Sequence, residues 1–518
     1  MPTLTIDGKP VSVPEGTTIL DAARALDIDI PTLCYLKDFP PSTSCMVCVV
    51  RVSGQDKLLP SCGTEVREGM VVLSDDPEVA AARRTALELL LSDHVGDCMG
   101  PCQVACPAGM DIPLMTRHLA AGQYDQAIEV IKEHIALPAV TGRICPAPCE
   151  KACRRTKIDK PVSICLLKRY AADLDLAGTE PYQPAVSPNR NKRVAVVGAG
   201  PAGLAAAYYL QRDGFSCTVF DDREAPGGML RYGVPEADLP RSVLDAEIDQ
   251  IRGLGVVFRQ QVRVGRDVTL AELKEDFDAV FLGIGDTGAG GLEALGFDPE
   301  HQPLRVEQHT YRTDIPGLFA GGDVRRKRRL TARSLGDGKD AAGSIARFLT
   351  GAPATGAGRP FNSRMGKLEP EELVQLSSPA GTTNPGQPLD HQKGLSEKQS
   401  QFEAARCLHC DCRDAASCKL RIYAQAYGAK QSRFQGKRRP LLRLNDHPNV
   451  IYEPGKCINC GICVQITRKQ GEKLGLTFIG RGFDVKVAVP FNQSIEAGLA
   501  QTANEVAAAC PTGALALK

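Results

Sequence analysis

The stretch NKRVAVVGAGPAGLAAAYYLQRDGFSCTVFDD (191–222) decides the fold of the central part of this chain. A short apolar strand leads into Gly198, Gly200 and Gly203, and an alanine-rich helix and a second strand follow. In such a unit the glycines permit a tight turn and let a pyrophosphate approach the helix N-terminus, which attracts anions. Asp221 ends the second strand, where a carboxylate can accept a hydrogen bond from a ribose. The stretch therefore predicts a Rossmann-like domain that binds a dinucleotide.

The bulk composition limits the classes of protein to consider. A chain of 518 residues is too long for one ordinary core and predicts several domains. Lys plus Arg (62) nearly cancels Asp plus Glu (61), so nothing electrostatic indicates a nucleic-acid partner. The start, MPTLTIDGKPV, lacks the layout of a secretory signal, and no apolar run is long enough for a membrane span. We expect a cytoplasmic protein.

Twenty cysteines are the outstanding feature of the composition. Nineteen of them fall in short-spaced groups, and in a chain without an export signal this favours metal ligation over disulfides. The remaining one, Cys217, lies on the second strand of the opening stretch and is expected to be a small core residue.

The first cysteine group has the spacing C-x10-C-x2-C-x13-C and comprises Cys34, Cys45, Cys48 and Cys62. Paired thiolates with two outlying ones suit an iron–sulfur cluster wrapped by a loop, and a structural zinc site is the alternative. TIDGKPVSVPEGTTILDAARALDIDIPTLCY and GMVVLSDDPEV resemble the N-terminal domain of the large iron–sulfur subunit of respiratory complex I. The resemblance implies a β-grasp ferredoxin domain over residues 1–78 with one [2Fe–2S] cluster. SCMVC departs from the family, which usually has glycine and arginine around the second cysteine.

The next group supplies seven cysteines, whereas two [4Fe–4S] clusters need eight ligands: Cys98, Cys102, Cys106, Cys145, Cys149, Cys153 and Cys165. His94 lies four residues before the first of them, and an imidazole nitrogen can ligate iron. DHVGDC also resembles the complex I motif in which a histidine completes a cluster. The alternative is an ordinary surface histidine.

The segment that contains TGRICPAPCEKAC resembles the two-cluster helical domain of the glutamate synthase small subunit and of the large subunit of NADH-dependent ferredoxin:NADP oxidoreductase. The resemblance implies a helical domain over residues 79–185 with two [4Fe–4S] clusters. We assign one cluster to His94, Cys98, Cys102 and Cys153, and the other to Cys106, Cys145, Cys149 and Cys165. Lys168 stands where the family has a ligating amide or carboxylate, and Cys165, one helical turn earlier, can replace that ligand.

Three further stretches resemble the flavin half of the glutamate synthase small subunit: APGGMLRYGVP (225–235), DAVFLGIG (278–285) and TDIPGLFAGGDV (313–324). The resemblance implies that residues 186–350 form a Rossmann-like domain whose dinucleotide is FAD, with Asp323 on the flavin's linking chain. The candidate FAD-binding residues are Gly198, Gly200, Pro201, Ala202, Gly203, Asp221, Gly228, Met229, Gly285, Gly322, Asp323 and Thr331.

GIGDTG (283–288) also fits the pattern G-x-G-x-x-G. A second nucleotide-binding unit would need a full helix and a further strand. Gly290, Gly291, Gly296 and Pro299 interrupt the span such a helix would need, and the 26 residues 289–314 are too few for such a unit. We therefore expect this stretch to end a strand of the flavin domain. The NADPH-binding domain that the family carries at this point is absent, so direct oxidation of NAD(P)H is doubtful.

The C-terminal third begins with a Gly-, Pro- and Ser-rich linker (351–400) that has room for one short helix at PEELVQL. The segment 401–440 carries four cysteines suited to a [4Fe–4S] cluster or to zinc: Cys407, Cys410, Cys412 and Cys418. Residues 441–518 predict a ferredoxin-like domain with one [4Fe–4S] cluster on Cys457, Cys460, Cys463 and Cys510.

Together the patterns predict a multidomain α+β and α/β chain with one FAD, one [2Fe–2S] and three to four [4Fe–4S] clusters. The function they favour is an electron-transfer subunit of a cytosolic multi-subunit oxidoreductase, with no catalytic residues of its own. Its partner would be a formate dehydrogenase-, aldehyde oxidoreductase- or hydrogenase-like subunit, a ferredoxin, or both. The alternatives are a self-contained flavin-based reductase, which includes electron-bifurcating forms, and a structural subunit with an empty flavin site.

Overall fold

A computed structural model describes residues 1–286, 292–295, 297, 304–325, 330–353, 355–356, 358–377, 390 and 392–518. The strands of these residues are β1 Thr3–Ile6, β2 Lys9–Ser12, β3 Val49–Val52, β4 Leu59–Pro60, β5 Val71–Leu73, β6 Arg193–Val197, β7 Ser216–Asp221, β8 Val257–Gln260, β9 Ala279–Leu282, β10 Leu318–Ala320, β11 Val450–Tyr452, β12 Thr477–Ile479, β13 Lys486–Ala488 and β14 Leu515–Leu517.

The helices are α1 Ile19–Arg24, α2 Pro77–Ser92, α3 Pro101–Ala105, α4 Ile112–Ala120, α5 Tyr124–His134, α6 Pro138–Ile144, α7 Pro148–Lys151, α8 Ile164–Ala177, α9 Pro201–Arg212, α10 Met229–Tyr232, α11 Arg241–Gly253, α12 Leu270–Asp276, α13 Thr331–Leu349, α14 Pro370–Ser377, α15 Glu397–Ala405, α16 Lys419–Ala426, α17 Ile462–Lys469, α18 Ile495–Gly498 and α19 Ala503–Ala509. The helix expected at PEELVQL is α14.

The N-terminal residues form a five-stranded mixed sheet in the order β2-β1-β5-β3-β4. Leu4 and Ile6 of β1 alternate toward one buried face, as the twofold repeat of a strand requires. Helix α1 covers this face, and the Thr18 side chain caps it by accepting a hydrogen bond from the Asp21 backbone N–H. The cysteine-bearing loops leave the edges of this small core.

The central residues form an all-parallel sheet in the order β10-β9-β6-β7-β8. Four of the five residues of β6 are buried, as expected of a strand covered by helices on both faces. Helices α9 and α13 pack against each other closely, because Gly338 brings the backbone of α13 next to Ala202 of α9. The Rossmann-like fold predicted from residues 191–222 is confirmed.

The C-terminal residues form two small antiparallel pairs, β11 with β14 and β12 with β13. Helices α17 and α19 pack on each other beside the first pair. The cysteines of this region lie at the helix ends and in the loops that join them.

The chain divides into two compact units. Unit 1 comprises Met1–Gly100, Pro360–Pro379 and His409–Lys518, and unit 2 comprises Pro101–Arg359 and Ala380–Leu408. Each unit therefore combines parts of the chain that are distant in sequence. The boundaries of the six domains proposed from the sequence stay predictions. Within the described ranges, no helix combines the length and the apolar character that crossing a bilayer requires.

The contact between α9 and α13 predicts opposite effects for two glycines of α13. A Cβ on Gly338 would lie 2.2 Å from the Ala202 backbone oxygen, whereas a Cβ on Gly343 meets nothing within 4 Å. Gly338→Ala should destabilise unit 2 by about 1–3 kcal/mol, and Gly343→Ala should be neutral or stabilise it by up to about 1 kcal/mol. The apparent Tm, followed by circular dichroism, measures both. Equal Tm values for the two variants would contradict this packing.

Candidate iron–sulfur and dinucleotide sites

The four N-terminal cysteines are all buried, three of them in the loop that precedes β3 and the fourth just after β4. The Sγ atoms of Cys34 and Cys45 lie 3.3 Å apart, and those of Cys48 and Cys62 lie 3.4 Å apart. Cys34 also interacts with Cys62, and hydrogen bonds from Cys45 and Cys62 lower the pKa of the Cys34 thiol. These separations are too long for disulfides but bring four sulfur donors into one place. The donor set fits the predicted [2Fe–2S] cluster.

The predicted C-terminal ligands also converge. Cys457, Cys460, Cys463 and Cys510 line one cavity of about 20 Å³ together with apolar side chains. Burial raises the pKa of Cys457 to about 11 and that of Cys460 to about 12. Backbone N–H groups donate to two of the sulfurs, from Asn459 to Cys457 at 3.4 Å and from Leu515 to Cys510 at 3.5 Å. Amide hydrogen bonds of this kind suit a ligated, negatively charged sulfur.

A third set of four cysteines meets in unit 2. Cys106, Cys145 and Cys149 line one cavity, and Cys165 interacts with Cys145 and Cys149 from the first turn of α8. These are the four cysteines assigned from sequence to the second [4Fe–4S] cluster, so the structure brings the predicted donor set together.

Lys168 lines the same cavity one turn further along α8. Burial alone would lower the pKa of its ammonium group, but the surrounding cysteines, Cys165 first, hold that pKa above its usual value. A buried cation therefore faces the sulfur atoms, where the related proteins are expected to have a ligand.

The first assigned cluster is divided between the two units. His94 and Cys98 belong to unit 1, whereas Cys102 and Cys153 belong to unit 2 and border the same hydrophobic core as Cys407. The predicted Cys407–Cys418 group is divided as well, since its three later members belong to unit 1.

Within unit 1, Cys98 instead lies beside Cys412. The Cys412 N–H donates to the Cys98 backbone oxygen at 3.3 Å. Burial raises the pKa of Cys418 to about 12, with further contributions from Cys412 and Cys98, so the three thiols share one environment.

His94 lies in the loop just before Cys98. Its ring Nδ1 is buried and has no hydrogen-bond partner among the described residues. Burial, followed by the positive charge of Lys456, lowers the pKa of His94 to about 4, so the ring is a neutral imidazole with an available lone pair.

Three of these cysteine sites share a single hydrophobic core in unit 1, which contains Cys34, Cys45, Cys418 and Cys460. The Ser42 hydroxyl, from the N-terminal cysteine loop, donates to the Cys460 backbone oxygen at 2.7 Å. On the other side, the Leu420 N–H donates to the Pro511 oxygen at 3.3 Å, next to Cys510. The C-terminal site therefore touches the loops of both other sites.

The glycine-rich turn has the close approaches that its pattern predicts. A Cβ on Gly203 would lie 1.8 Å from the Gly198 oxygen, and Gly198 itself has a φ of +100°. Gly200 caps α9 with its backbone only, so among the described residues no side chain takes the amides of the first turn. Gly228, with a φ of +50°, lies against Gly200, where a Cβ would come within 2.7 Å of the Gly200 Cα. This cradle of bare backbone fits a pyrophosphate.

Asp221 holds the turn from the end of β7. Its carboxylate accepts from the Ala199 N–H at 2.6 Å and from the Arg223 N–H at 3.0 Å. Burial raises the pKa of this carboxyl group. The carboxylate keeps lone pairs for a ribose hydroxyl, which is the role expected of it.

The remaining FAD candidates lie around the same turn. Met229 begins α10 and is 68% exposed. Gly322 packs against Ala202, the residue after Pro201, and its N–H donates to Asp337 of α13. Asp323 lies in the following turn, and Thr331 begins α13. On the same helix, Ala332 and Leu335 line the cavity that also contains Cys106.

The second glycine pattern ends a strand, as predicted. Strand β9 stops at Leu282, and the Gly283 N–H donates to the Val197 oxygen of β6. Gly285 has a φ of +75°. The last two residues of GIGDTG and much of the segment that follows lie outside the described residues. Where the chain is described again, β10 pairs directly with β9.

Sequence reasoning missed several residues that hold these sites. Ser363, fully buried, contacts the Cys98 sulfur through its backbone N–H and its hydroxyl, yet it belongs to the predicted linker. Lys456 and Glu453 form a buried ion pair beside Cys412. Nothing in the sequence indicates the role of Ser363, because the linker meets Cys98 only in the folded chain.

Cys217 is a buried residue of β7 and belongs to the core of the Rossmann-like domain. Burial raises the pKa of its thiol, which keeps it protonated.

Comparison with known protein families identifies three domains in the chain. Residues 1–77 match the family model of a 2Fe-2S iron-sulfur cluster binding domain. Residues 93–179 match dihydropyrimidine dehydrogenase domain II, 4Fe-4S cluster, and residues 196–252 match an NAD(P)-binding Rossmann-like domain. The class is thus a mixed α/β multidomain protein that joins iron–sulfur domains to a Rossmann-like domain.

Curated relatives agree with this class. The chain is 36% identical over 283 residues to the NADPH-Fe(3+) oxidoreductase subunit beta of Geobacter sulfurreducens. This match covers 54% of the chain and 39% of the relative. It is 36% identical to the NADP(+)-dependent formate dehydrogenase subunit beta of Moorella thermoacetica, over 44% of this chain and 35% of the relative. It is 41% identical to the glutamate synthase [NADPH] small chain of Mycobacterium tuberculosis, over 40% of this chain and 43% of the relative. The predicted resemblance to the glutamate synthase small subunit is confirmed, and the match spans less than half of each of these relatives.

Lys168 predicts a shift in the reduction potential of the cluster on Cys106, Cys145, Cys149 and Cys165. A unit charge about 6 Å from the added electron, at an effective dielectric constant of about 20, changes the potential by on the order of 100 mV. Lys168→Met should lower the midpoint potential of one [4Fe–4S] signal by that amount, because reduction loses a favourable charge. Redox titration monitored by electron paramagnetic resonance (EPR) measures it. Lys160→Met, an exposed control, should change no potential; unchanged potentials in both variants would contradict the placement of Lys168.

Proposed function

We propose that this chain is an iron–sulfur flavoprotein that relays single electrons between its clusters, one FAD and a partner subunit. The observation that carries the proposal is the shared core of unit 1, where three sets of sulfur ligands lie in contact through Ser42 and Pro511. Cysteine sites built this close together serve transfer between centres, whereas isolated structural sites need no such contact.

Unit 2 supplies the second part of the proposed relay. The cavity of Cys106, Cys145 and Cys149 is closed by the first turns of α13, the helix that begins at Thr331. The glycine cradle at Gly198 and Gly228 would hold the pyrophosphate of FAD, and Asp221 and Asp323 would bind the sugar and the linking chain. A flavin exchanges one or two electrons, whereas a cluster exchanges one, so a flavin couples the two kinds of chemistry.

The finer assignments belong to this proposal. We infer a β-grasp ferredoxin domain for the N-terminal sheet, a ferredoxin-like C-terminal domain, and one [2Fe–2S] with four [4Fe–4S] centres. The nineteen cysteines of the groups and His94 supply twenty ligands, which is four for each of five centres.

The proposed partner is a catalytic oxidoreductase subunit in a cytoplasmic hetero-oligomer. The named relatives are subunits or chains of larger enzymes, and one of them is a formate dehydrogenase subunit. A formate dehydrogenase-, aldehyde oxidoreductase- or hydrogenase-like subunit, or a ferredoxin, would exchange electrons with the clusters.

A second candidate function is direct NAD(P)H oxidation at the same Rossmann-like domain. The family description of residues 196–252 and the names of the relatives favour it. The strand order is evidence against a separate NAD(P)H-binding domain. Strand β10 pairs directly with β9, and the segment between them is too short for a second nucleotide-binding domain.

The two candidates differ in what reduces the flavin. The full chain, purified without oxygen, should hold about one FAD, and a one-electron donor such as reduced ferredoxin should bleach the flavin absorbance rapidly. NADPH or NADH should bleach it only slowly, because the described residues form one dinucleotide cradle, at Gly198 and Gly228, and FAD would fill it. Stopped-flow absorbance measures this. Rapid bleaching by either nucleotide would instead establish the second candidate.

Asp323 provides an independent test of the flavin site. Asp323→Ala should weaken FAD binding about 10- to 100-fold, the loss expected for a hydrogen bond to a charged group. Asp276→Ala, which removes an exposed carboxylate at the end of α12, is the matched control. Fluorescence of released flavin at equilibrium gives both affinities, and equal affinities would remove Asp323 from the site.

A further inference from the structure

We propose that His94, Cys98, Cys412 and Cys418 together hold one [4Fe–4S] centre. This grouping rests on the proposed function and specifies one of its centres. It joins two sequence segments that the motif spacings had placed in separate clusters.

The three cysteines are held side by side within unit 1. Cys98 and Cys412 are linked through the backbone, from the Cys412 N–H to the Cys98 oxygen at 3.3 Å. Cys418 follows Cys412 in the same loop and caps α16, and its charge interacts with both of the others. All three side chains are buried.

His94 supplies the nitrogen donor that this set lacks. Its Nδ1 is buried and has no hydrogen-bond partner in the described part of the chain. A buried polar atom of this kind costs free energy unless a ligand satisfies it. A backbone hydrogen bond from Val95 to the Gly455 oxygen, 2.7 Å long, fixes the loop next to Lys456.

Lys456 links His94 to the cysteines. Its stem passes so close to Gly96 that a Cβ there would lie 2.6 Å from Lys456 Cε and 3.4 Å from His94 Nε2. Its ammonium group is paired with Glu453 and interacts with Cys412. His94 and Cys412 therefore both lie near one buried cation, which would offset the negative charge of a cluster.

The chemistry of the donor set suits an iron–sulfur centre. Three cysteine sulfurs and one imidazole nitrogen are ligands that iron accepts. Zinc takes the same donors at about 2.3 Å from a common point, so the metal is identified by the spectroscopic tests below.

Ser363 completes the surroundings of Cys98. Its backbone N–H points at the Cys98 sulfur at 3.4 Å, and its hydroxyl lies 3.2 Å from the same atom. The Asp97 carboxylate accepts from the Met365 N–H at 2.7 Å, which ties the two segments together. Hydrogen bonds to a ligating sulfur stabilise its charge and raise the potential of a cluster.

The nitrogen donor gives the first test. In the reduced, full-length protein labelled with 15N-histidine, pulsed EPR should detect nitrogen coupling on one [4Fe–4S] signal. His94→Cys should keep that cluster and remove the coupling, whereas His118→Cys, on α4, should leave it. Wild-type protein with reduced cubanes but without nitrogen coupling, or coupling that survives in His94→Cys, would overturn the assignment of His94. The wild-type measurement decides even where a variant does not fold.

The sulfur donors give the second test. Cys98→Ser, Cys412→Ser and Cys418→Ser should each abolish the nitrogen-coupled signal, and Cys102→Ser and Cys407→Ser should abolish a different one. If Cys98→Ser and Cys102→Ser remove one signal while Cys412→Ser and Cys407→Ser remove another, the proposed grouping is wrong although the iron–sulfur function stands. Anaerobically purified wild-type protein without iron would overturn the proposed function together with this site.

Discussion

The constraint on which the rest of the structure depends is the burial of sulfur in sets of four. A thiolate withdrawn from water is costly unless a positive charge lies next to it. At Cys457, Cys460 and Cys418 burial raises the pKa of the thiol well above its ordinary value. These groups would stay protonated in the bare chain, and iron is the partner that would allow them to ionise. Two of the buried lysines in the described part of the chain, Lys168 and Lys456, interact with cysteines.

The folding of unit 1 follows from that constraint. Its segments come from the two ends of the chain and from residues 360–379, and their loops meet in one hydrophobic core that contains cysteines of three sites. Each loop is fixed to another through its backbone, as Ser42 is to Cys460 and Val95 is to Gly455. Unit 2 repeats the arrangement on a smaller scale, since the cavity of Cys106 is closed by the helix that also packs on the glycine-rich turn. In both units the scaffold places donor sets where neighbouring elements already touch.

The sequence predicted the local parts of this account well. The turn at Gly198 and the strand that ends before Gly283 are encoded in short stretches, because a few adjacent residues determine each geometry. The set at Cys457 was also predicted, although Cys510 lies far along the chain from Cys463. The spacing of the cysteines did not predict that Cys98 and Cys102 belong to different compact units. Three residues separate them, yet they belong to different compact units, and Cys98 lies beside Ser363 and Cys412, which are distant in sequence. Ser363 was assigned to a linker because the segment around it is rich in Gly and Pro. That composition does not reveal which loop the segment packs against. The predicted sets that come together are those whose members all belong to one compact unit, as Cys457 and Cys510 do.

The most direct test of the relay is the magnetic interaction between the centres of unit 1. In an anaerobic reductive titration of the full chain, the [2Fe–2S] signal should broaden or split at the potential where the cluster on Cys457, Cys460, Cys463 and Cys510 is reduced. The hydrogen bond from Ser42 to the Cys460 backbone oxygen brings the two donor sets into one core, so their magnetic moments should interact. A [2Fe–2S] signal that stays sharp and unchanged while the cubanes are reduced would contradict it.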